Sequence, residues 1–315
     1  MQESELEHKS VLVDEILGFL DPTGNAIVID ATLGLGGHTE AILKTFKHTK
    51  VIGIDQDQKA LEKATDRLKA FSTRFQGIHS NFADISTVAN DLNITEVDAV
   101  IADLGVSSMQ LDDADRGFSF RFDAPLDMRM DTSRGLTAAE LLEDLDQEEI
   151  ANLIYRYGEE RKSRRVARLI IERRDAGQPV RTTSELARLV ERAVGRSPKD
   201  KIHPATRTFQ ALRIAVNNEL GILDEFIKDS IDLLKPNGKL SVITFHSLED
   251  RIVKQAFQKF SGKCFCPPRI PRCICGAEKR VEILTKKPVV PTEAEMSSNA
   301  RSRSAKLRVC RKIEN

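Results

Sequence analysis

The stretch Ala26–His38 (AIVIDATLGLGGH) combines a buried β-strand pattern with a glycine-rich turn. Ile27–Ile29 is a β-branched run suited to the middle of a parallel sheet, and Asp30 ends it. The glycines of Gly34–Gly37 allow a tight turn and let a ligand approach main-chain N–H groups, and Thr39–Phe46 then has a helical pattern. Because doubly wound α/β folds hold nucleotide-like ligands on such a strand, turn and helix, the stretch predicts a site of this kind.

Two further predicted strands also end in acids. Val51–Ile54 is followed by Asp55, and Val97–Leu104 contains Asp103 close to its end. Because the carboxyl ends of parallel strands line one crevice, we expect these acids to lie beside Asp30.

Asp55 has two interpretations. In nucleotide-binding α/β folds, a carboxylate at the tip of the second strand accepts hydrogen bonds from ribose hydroxyls. Alternatively, Asp55 is the N-cap of the helix predicted over Gln56–Leu68. The two roles are compatible.

The alternation of strand and helix patterns stops after Ser108 for about a hundred residues and then resumes. We predict a helical insertion at residues 111–205 between two parts of one α/β domain, residues 1–110 and 206–315. A long helical pattern covers Thr206–Leu234 and ends at Pro236–Gly238. The remaining strand candidates are Phe75–Phe82, Lys239–Phe245, Val281–Leu284 and Leu307–Cys310. Seven strands, with the last antiparallel, would give a seven-stranded, Rossmann-like methyltransferase sheet.

Composition and charge narrow the class of protein. The 315 residues include no apolar run long enough to span a bilayer and begin with no apolar leader, so we expect a cytoplasmic protein that does not bind membranes. The net charge is zero, but Tyr155–Arg213 holds sixteen Lys and Arg against seven Asp and Glu. This excess is typical either of a nucleic-acid-binding face or of a solvated helix face.

The glycine turn also limits the ligand. It lacks the third glycine of a dinucleotide fingerprint and the Lys-Ser/Thr pair of a P-loop. An adenosine ligand without phosphates remains. S-adenosylmethionine fits, because its sulfonium is cationic and the strand-end motifs hold three acids and no Lys or Arg.

Four late cysteines form two close pairs. Two Cys-x-Cys pairs could supply the four thiolates of a tetrahedral zinc site, although this spacing is less diagnostic than Cys-x-x-Cys. The alternative is a set of reduced cysteines in a proline-rich loop. The residues are Cys264, Cys266, Cys273 and Cys275.

Long motifs give the chain a family resemblance. It resembles the MraW-type bacterial 16S ribosomal RNA (cytosine-N4) methyltransferase family. Two positions depart from the general amino-methyltransferase pattern: Thr32 stands where glycine is common, and Asp103–Val106 stands in place of the N/D-P-P-Y/F motif. The matching motifs are His8–Leu12, Gly34–His38, Asp103–Asp112, Arg116–Phe120, Pro125–Asp131, Tyr157–Arg161, His203–Gln210, Phe245–Arg251 and Ala300–Ser304.

The resemblance implies S-adenosylmethionine as cofactor and a cytidine in the decoding region of 16S rRNA, in the small ribosomal subunit, as substrate. We expect direct in-line transfer to the exocyclic N4, with Asp103 as the first catalytic candidate and His246 as the second. A helix-start role is the alternative for His246. A homodimer is one candidate assembly. The implied cofactor-binding residues are Gly36, Gly37, His38, Asp55, Phe82, Asp103 and Gln110.

The inserted helices are expected to bind RNA. Candidate phosphate contacts are Arg161, Lys162, Arg164, Arg165 and Arg168, and candidate base contacts are Phe118, Phe120 and Arg129. Three other functions are weaker. A DNA amino methyltransferase should carry the missing N/D-P-P-Y/F motif, a small-molecule methyltransferase would not need the basic insertion, and a non-catalytic assembly factor would not need the intact acids and glycines.

Overall fold

A computed structural model describes residues 9–196, 202–267 and 274–314. The chain divides into two compact units, Val106–Glu219 and a discontinuous unit formed by Met1–Gly105 with Leu220–Asn315. The helical unit therefore extends beyond the predicted 111–205 at both ends.

The discontinuous unit, called the sheet unit below, contains a seven-stranded sheet in the order β3-β2-β1-β4-β5-β7-β6. The first five strands in this order are parallel, and β7 runs antiparallel to both of its neighbours. The predicted antiparallel last strand is thus confirmed. The strands are β1 Ile27–Asp30, β2 Lys50–Asp55, β3 Phe75–His79, β4 Val97–Asp103, β5 Leu234–Thr244, β6 Val281–Ile283 and β7 Lys306–Lys312.

Helices pack apolar side chains against the sheet. Val28, Ile29, Val100 and Ile101 in the central strands are buried, as the β-branched runs predicted. The helices of this unit are α1 Val13–Leu20, α2 Gly37–Thr45, α3 Gln58–Arg67, α4 Ile85–Asp91, α11 Leu223–Leu233, α12 Ser247–Phe260 and α13 Glu293–Ser298.

The helical unit has its own apolar core, around residues such as Ile150, Val166 and Leu186. Arg116 is buried there, and its guanidinium donates to the carbonyls of Arg129 and Met130 at 3.0 and 2.9 Å. The helices are α5 Ser108–Asp112, α6 Ala138–Asp144, α7 Gln147–Gly158, α8 Ser163–Asp175, α9 Thr183–Val194 and α10 Ala205–Val216.

The single helix predicted over Thr206–Leu234 is wrong. It is interrupted between α10 and α11, where Asn218 has a positive φ of 49°. The side-chain amide of Asn217 donates to the carbonyl of Met128 at 2.8 Å, and its oxygen accepts from the amide of Met130 at 2.7 Å. These bonds hold the end of α10 within the helical unit, which is why the boundary falls after Glu219 rather than before α10.

Candidate active site

Three carboxylates lie at the carboxyl edge of the sheet. Strand β1 lies between β2 and β4, and Asp30 is in register with Gly53 and Ile101. Asp55 and Asp103, the last residues of β2 and β4, therefore extend two residues further along the same edge. The chain order of the strands reverses at this point, which is where open α/β sheets bind ligands.

The glycine turn is fastened to the end of β2. The amide of Leu33 donates to the carbonyl of Ile54 at 2.9 Å, and the amide of Gly34 donates to Asp55 Oδ2 at 2.6 Å. Gly36, with φ of 77°, is the N-cap of α2, a left-handed conformation that favours glycine. A Cβ on Gly37 would lie 2.0 Å from Ser10 Oγ, so residue 37 must be glycine for the chain to pack this closely.

Asp55 is held by the backbone on both carboxylate oxygens. Oδ2 accepts from Gly34, and Oδ1 accepts from the amide of Asp57 at 2.8 Å. Burial raises the pKa of Asp55 to about 6, although these two hydrogen bonds act in the opposite direction. Each oxygen has a second lone pair with which to accept from a ribose hydroxyl.

The N-cap interpretation of Asp55 is wrong. Asp57 caps α3, because its side chain accepts from the amides of Lys59 and Ala60 at 3.1 and 3.4 Å. Asp55 thus anchors the glycine turn to the end of β2 rather than capping α3.

Asp30 and Thr32 connect the turn to β1 and β4. Asp30 is buried, and its Oδ2 accepts from the hydroxyl of Thr39 at 2.7 Å. Burial raises the pKa of Asp30, against the opposing effects of His38 and Thr39. The hydroxyl of Thr32 accepts from the amide of Asp103 at 2.6 Å, which fixes the backbone at the end of β4.

His38 and Asp103 form a pair at this edge. His38 Nε2 lies 3.6 Å from Asp103 Oδ2, and the imidazole is buried. Burial alone would lower the pKa of His38, but the carboxylates of Asp103 and Asp30 outweigh it and raise the pKa. Within the described parts of the chain, Oδ1 of Asp103 and both ring nitrogens of His38 have no hydrogen bond, although these atoms are buried. Buried polar atoms usually have hydrogen-bond partners, so Oδ1 retains an unused capacity to accept a hydrogen bond.

His246 caps α12. Its Nδ1 accepts from the amide of Glu249 at 3.4 Å, and Glu249 Oε2 accepts in return from the amide of His246 at 3.3 Å. Because Nδ1 is an acceptor, the ring proton lies on Nε2, which is 3.0 Å from Glu249 Oε1. The helix-start role is therefore present.

The remaining predicted site residues are placed as follows. The Phe82 ring is half-buried and packs edge-on against Phe226 at 5.0 Å between centroids, as a core side chain does. Gln110 belongs to the helical unit, where its side chain accepts from the amide of Ser107 at 3.0 Å. The sulfurs of Cys264, Cys266 and Cys275 lie within 4.8 Å of one another, whereas Cys273 is outside the described residues.

Sequence reasoning missed three contacts. These are the bond from the Asp103 amide to the Thr32 hydroxyl, the close packing of Ser10 on Gly37, and the pairing of His38 with Asp103. The substitution of Thr32 for glycine was the only signal in the sequence, and it did not indicate a partner 71 positions away. No spacing rule predicts that His38 pairs with Asp103.

The fold and this site define an S-adenosylmethionine-dependent methyltransferase. The donor set fits the cofactor, since Asp55 can accept from ribose hydroxyls and the acidic edge suits a sulfonium cation. The chain belongs to the MraW methylase family, whose model matches residues 5–313.

Similar proteins match along almost their whole length. Ribosomal RNA small subunit methyltransferase H of Clostridium botulinum (strain Kyoto / Type A2) is 48% identical over 310 residues, covering 98% of this chain and 100% of the relative. The protein of the same name from Brevibacillus brevis is 47% identical over 308 residues, covering 97% and 98%. Among the helices described, none is both long and apolar enough to cross a bilayer.

Proposed function

We propose that this enzyme methylates the exocyclic N4 of one cytidine in the decoding region of 16S rRNA. The observation that carries the choice of RNA is the end-to-end similarity to relatives named as small-subunit rRNA methyltransferases. Its substrate would be the small ribosomal subunit or its RNA, which places the reaction in the cytoplasm.

The proposed reaction is direct in-line transfer. The lone pair of cytosine N4 is delocalised into the ring, so N4 is a weak nucleophile in solution. S-adenosylmethionine supplies an electrophilic methyl group when bound. A bond from N4 to the methyl carbon would form as the carbon–sulfur bond breaks. The electron pair of the broken bond would stay on sulfur, and N4 would then lose a proton. Positioning and electrostatics supply most of the catalysis in this scheme.

Asp103 is the proposed acceptor for the N4 hydrogen. Its buried Oδ1 has no hydrogen bond within the described residues, and Thr32 fixes its backbone. Oδ2 of Asp103 faces Nε2 of His38 at 3.6 Å, so Oδ1 is the oxygen that can accept the N4 hydrogen as charge develops. The proton would then pass to solvent.

His246 is proposed to position the target rather than to remove the proton. Its Nδ1 is committed to the cap of α12, so proton removal at that atom would break the cap. The proton on Nε2 can serve only as a donor while the cap is intact.

The inserted helical unit is proposed to bind the RNA. On α8, Arg164, Arg165 and Arg168 are exposed and lie opposite the buried Ser163, Val166, Ala167 and Ile170. We call these three residues the arginine face. They share one face of the helix, and Arg168 also pairs with Glu172 at 3.4 Å.

Other predicted RNA contacts have structural partners. The ammonium of Lys162 donates to the carbonyl of Val194 at 2.6 Å, and Arg129 forms a bidentate pair with Asp127 at 2.8 Å. Phe118 is buried, and Phe120 packs on Phe209 at 4.9 Å between ring centroids. These contacts favour local packing for the two phenylalanines, and we propose the arginine face as the main phosphate contact.

Mass-spectrometric mapping of methylcytidine in small-subunit RNA tests the function. RNA from cells lacking the protein should lose N4-methylcytidine at one position, and the purified enzyme with S-adenosylmethionine should restore it. Restoration by wild type but not by Asp103→Asn supports the proposal. An unchanged map would contradict it and favour a DNA substrate or a non-catalytic assembly role. Light scattering of the purified protein tests the predicted homodimer.

A further inference from the structure

The cysteine cluster lies in the loop between α12 and β6 of the sheet unit. The sulfurs of Cys264, Cys266 and Cys275 lie within 4.8 Å of one another, and Sγ of Cys264 is 3.8 Å from Sγ of Cys275. That separation is far longer than a disulfide bond of about 2 Å but suits two ligands of one metal ion. Two residues near the start of the loop and one near its end thus bring their sulfurs to one point.

Backbone amides point at all three sulfurs. The amide of Phe265 donates to Cys275 at 3.4 Å, that of Cys266 to Cys264 at 3.4 Å, and that of Ile274 to Cys266 at 3.3 Å. A neutral thiol is a weak acceptor, whereas hydrogen bonds to a charged acceptor are stronger. The arrangement therefore suits thiolates, whose charge a metal ion and these donors would share.

The chain around the cluster fits the same interpretation. Gly276, directly after Cys275, has φ of 68°, which glycine adopts without strain. A Cβ at this position would lie 3.7 Å from the ammonium of Lys259. The ammonium of Lys259 thus lies beside the backbone at the residue that follows Cys275.

The loop is closed at its base, and its described residues, 261–267 and 274–280, bury little apolar surface. The amides of Glu278 and Arg280 donate to the carbonyls of Lys259 and Phe260 at 3.1 and 2.7 Å. Further out, the side chains of Phe265 and Ile274 are 44% and 77% exposed. A metal cross-link would supply the order that a hydrophobic core supplies elsewhere.

We propose that Cys264, Cys266 and Cys275 hold a structural zinc ion that fixes this loop to the end of α12. Three thiolates and a tetrahedral preference match zinc better than the hard cations, which take oxygen ligands. Binding displaces three thiol protons to solvent and involves no electron transfer. The fourth tetrahedral position takes a donor other than these three; Cys273, named from the sequence, lies outside the described residues. The proposal is independent of the methyl-transfer function.

Metal analysis of the full-length protein tests the site. Protein purified under reducing conditions without chelator should contain about one zinc per chain. A mercurial thiol reagent should release it, as detected with a colorimetric zinc indicator. The triple variant Cys264→Ser/Cys266→Ser/Cys275→Ser should hold less than about a tenth of the wild-type zinc. Cys310→Ala is the matched control, because Cys310 is buried in β7 away from the cluster, and it should keep its zinc.

A second measurement does not depend on the folding of a variant. Wild-type protein stripped of metal and titrated with Co²⁺ should develop a sulfur-to-cobalt charge-transfer band at one equivalent, and zinc should remove it. Limited proteolysis should then show cleavage within residues 262–278 in the stripped protein and protection once zinc is restored. Wild-type protein with reduced thiols, negligible zinc and no cobalt–thiolate band would overturn the proposal, as would full zinc retention by the triple variant.

Discussion

Cofactor affinity should fall in acid because Asp55 becomes protonated. The carboxylate is the proposed acceptor for ribose hydroxyls, and burial raises its pKa to about 6. Hydroxyl donors favour the ionised form. The affinity contribution is therefore fully present above the pKa and is lost as the pH falls through it.

The expected size follows from that pKa. S-adenosylhomocysteine should bind with constant affinity from about pH 7 to 8. Because only about one carboxyl in eleven is ionised one pH unit below the pKa, affinity at pH 5 should be weaker by up to about tenfold.

Asp55→Asn should abolish the pH dependence of S-adenosylhomocysteine binding and should also weaken that binding. The amide is uncharged and directs N–H₂ at the amide of either Gly34 or Asp57, so one of these backbone donors loses its acceptor. Loss of charge-assisted bonds worth about 2–3 kcal/mol corresponds to binding roughly 30- to 150-fold weaker at pH 8.

Titration calorimetry with S-adenosylhomocysteine from pH 5 to 8, on wild type and Asp55→Asn, makes both measurements. Asp57→Asn is the control, since it alters the cap of α3 but keeps the Asp55 carboxylate. If Asp55→Asn kept the acid loss of affinity, the titrating group would be another one, such as His38 or Asp30, and the reasoning about Asp55 would be refuted.

Three further outcomes are expected. Asp103→Asn should lower kcat by about 100- to 1000-fold, while its affinity for S-adenosylhomocysteine stays within a few-fold of wild type. A wild-type rate of methyl transfer in a single-turnover assay would exclude the proposed acceptor role. Gly37→Ala should cost about 1–3 kcal/mol of stability and weaken cofactor binding, since its Cβ would lie 2.0 Å from Ser10 Oγ. Thermal melting should show recovery in Ser10→Ala/Gly37→Ala, and no recovery would mean that Ser10 is not the obstacle. Replacing the arginine face by alanine should make the dependence of log affinity for RNA on log salt shallower by about 2, measured by filter binding, whereas an unchanged slope would remove these residues from the phosphate contacts.

The sequence by itself determined the strands and the acidic edge. Runs of consecutive apolar, β-branched residues identify buried parallel strands. The residue that follows such a run lies at the carboxyl edge of the sheet. Asp30, Asp55 and Asp103 were predicted together for this reason, as was the glycine turn between strand and helix. The reversed last strand was predicted as well, but as a property of the fold type rather than of the residues in β7.

Contacts between distant residues were decided only by the tertiary structure. The break between α10 and α11 depends on Asn217 bonding to Met128 and Met130, which no helical period can show. The pairing of His38 with Asp103, and the bond from the Asp103 amide to Thr32, join segments that are far apart in the chain. Local sequence patterns indicate which residues are buried and where the chain turns. The hydrogen-bond partner of a buried polar atom is set by tertiary packing. These partners convert a row of acids into a candidate active site.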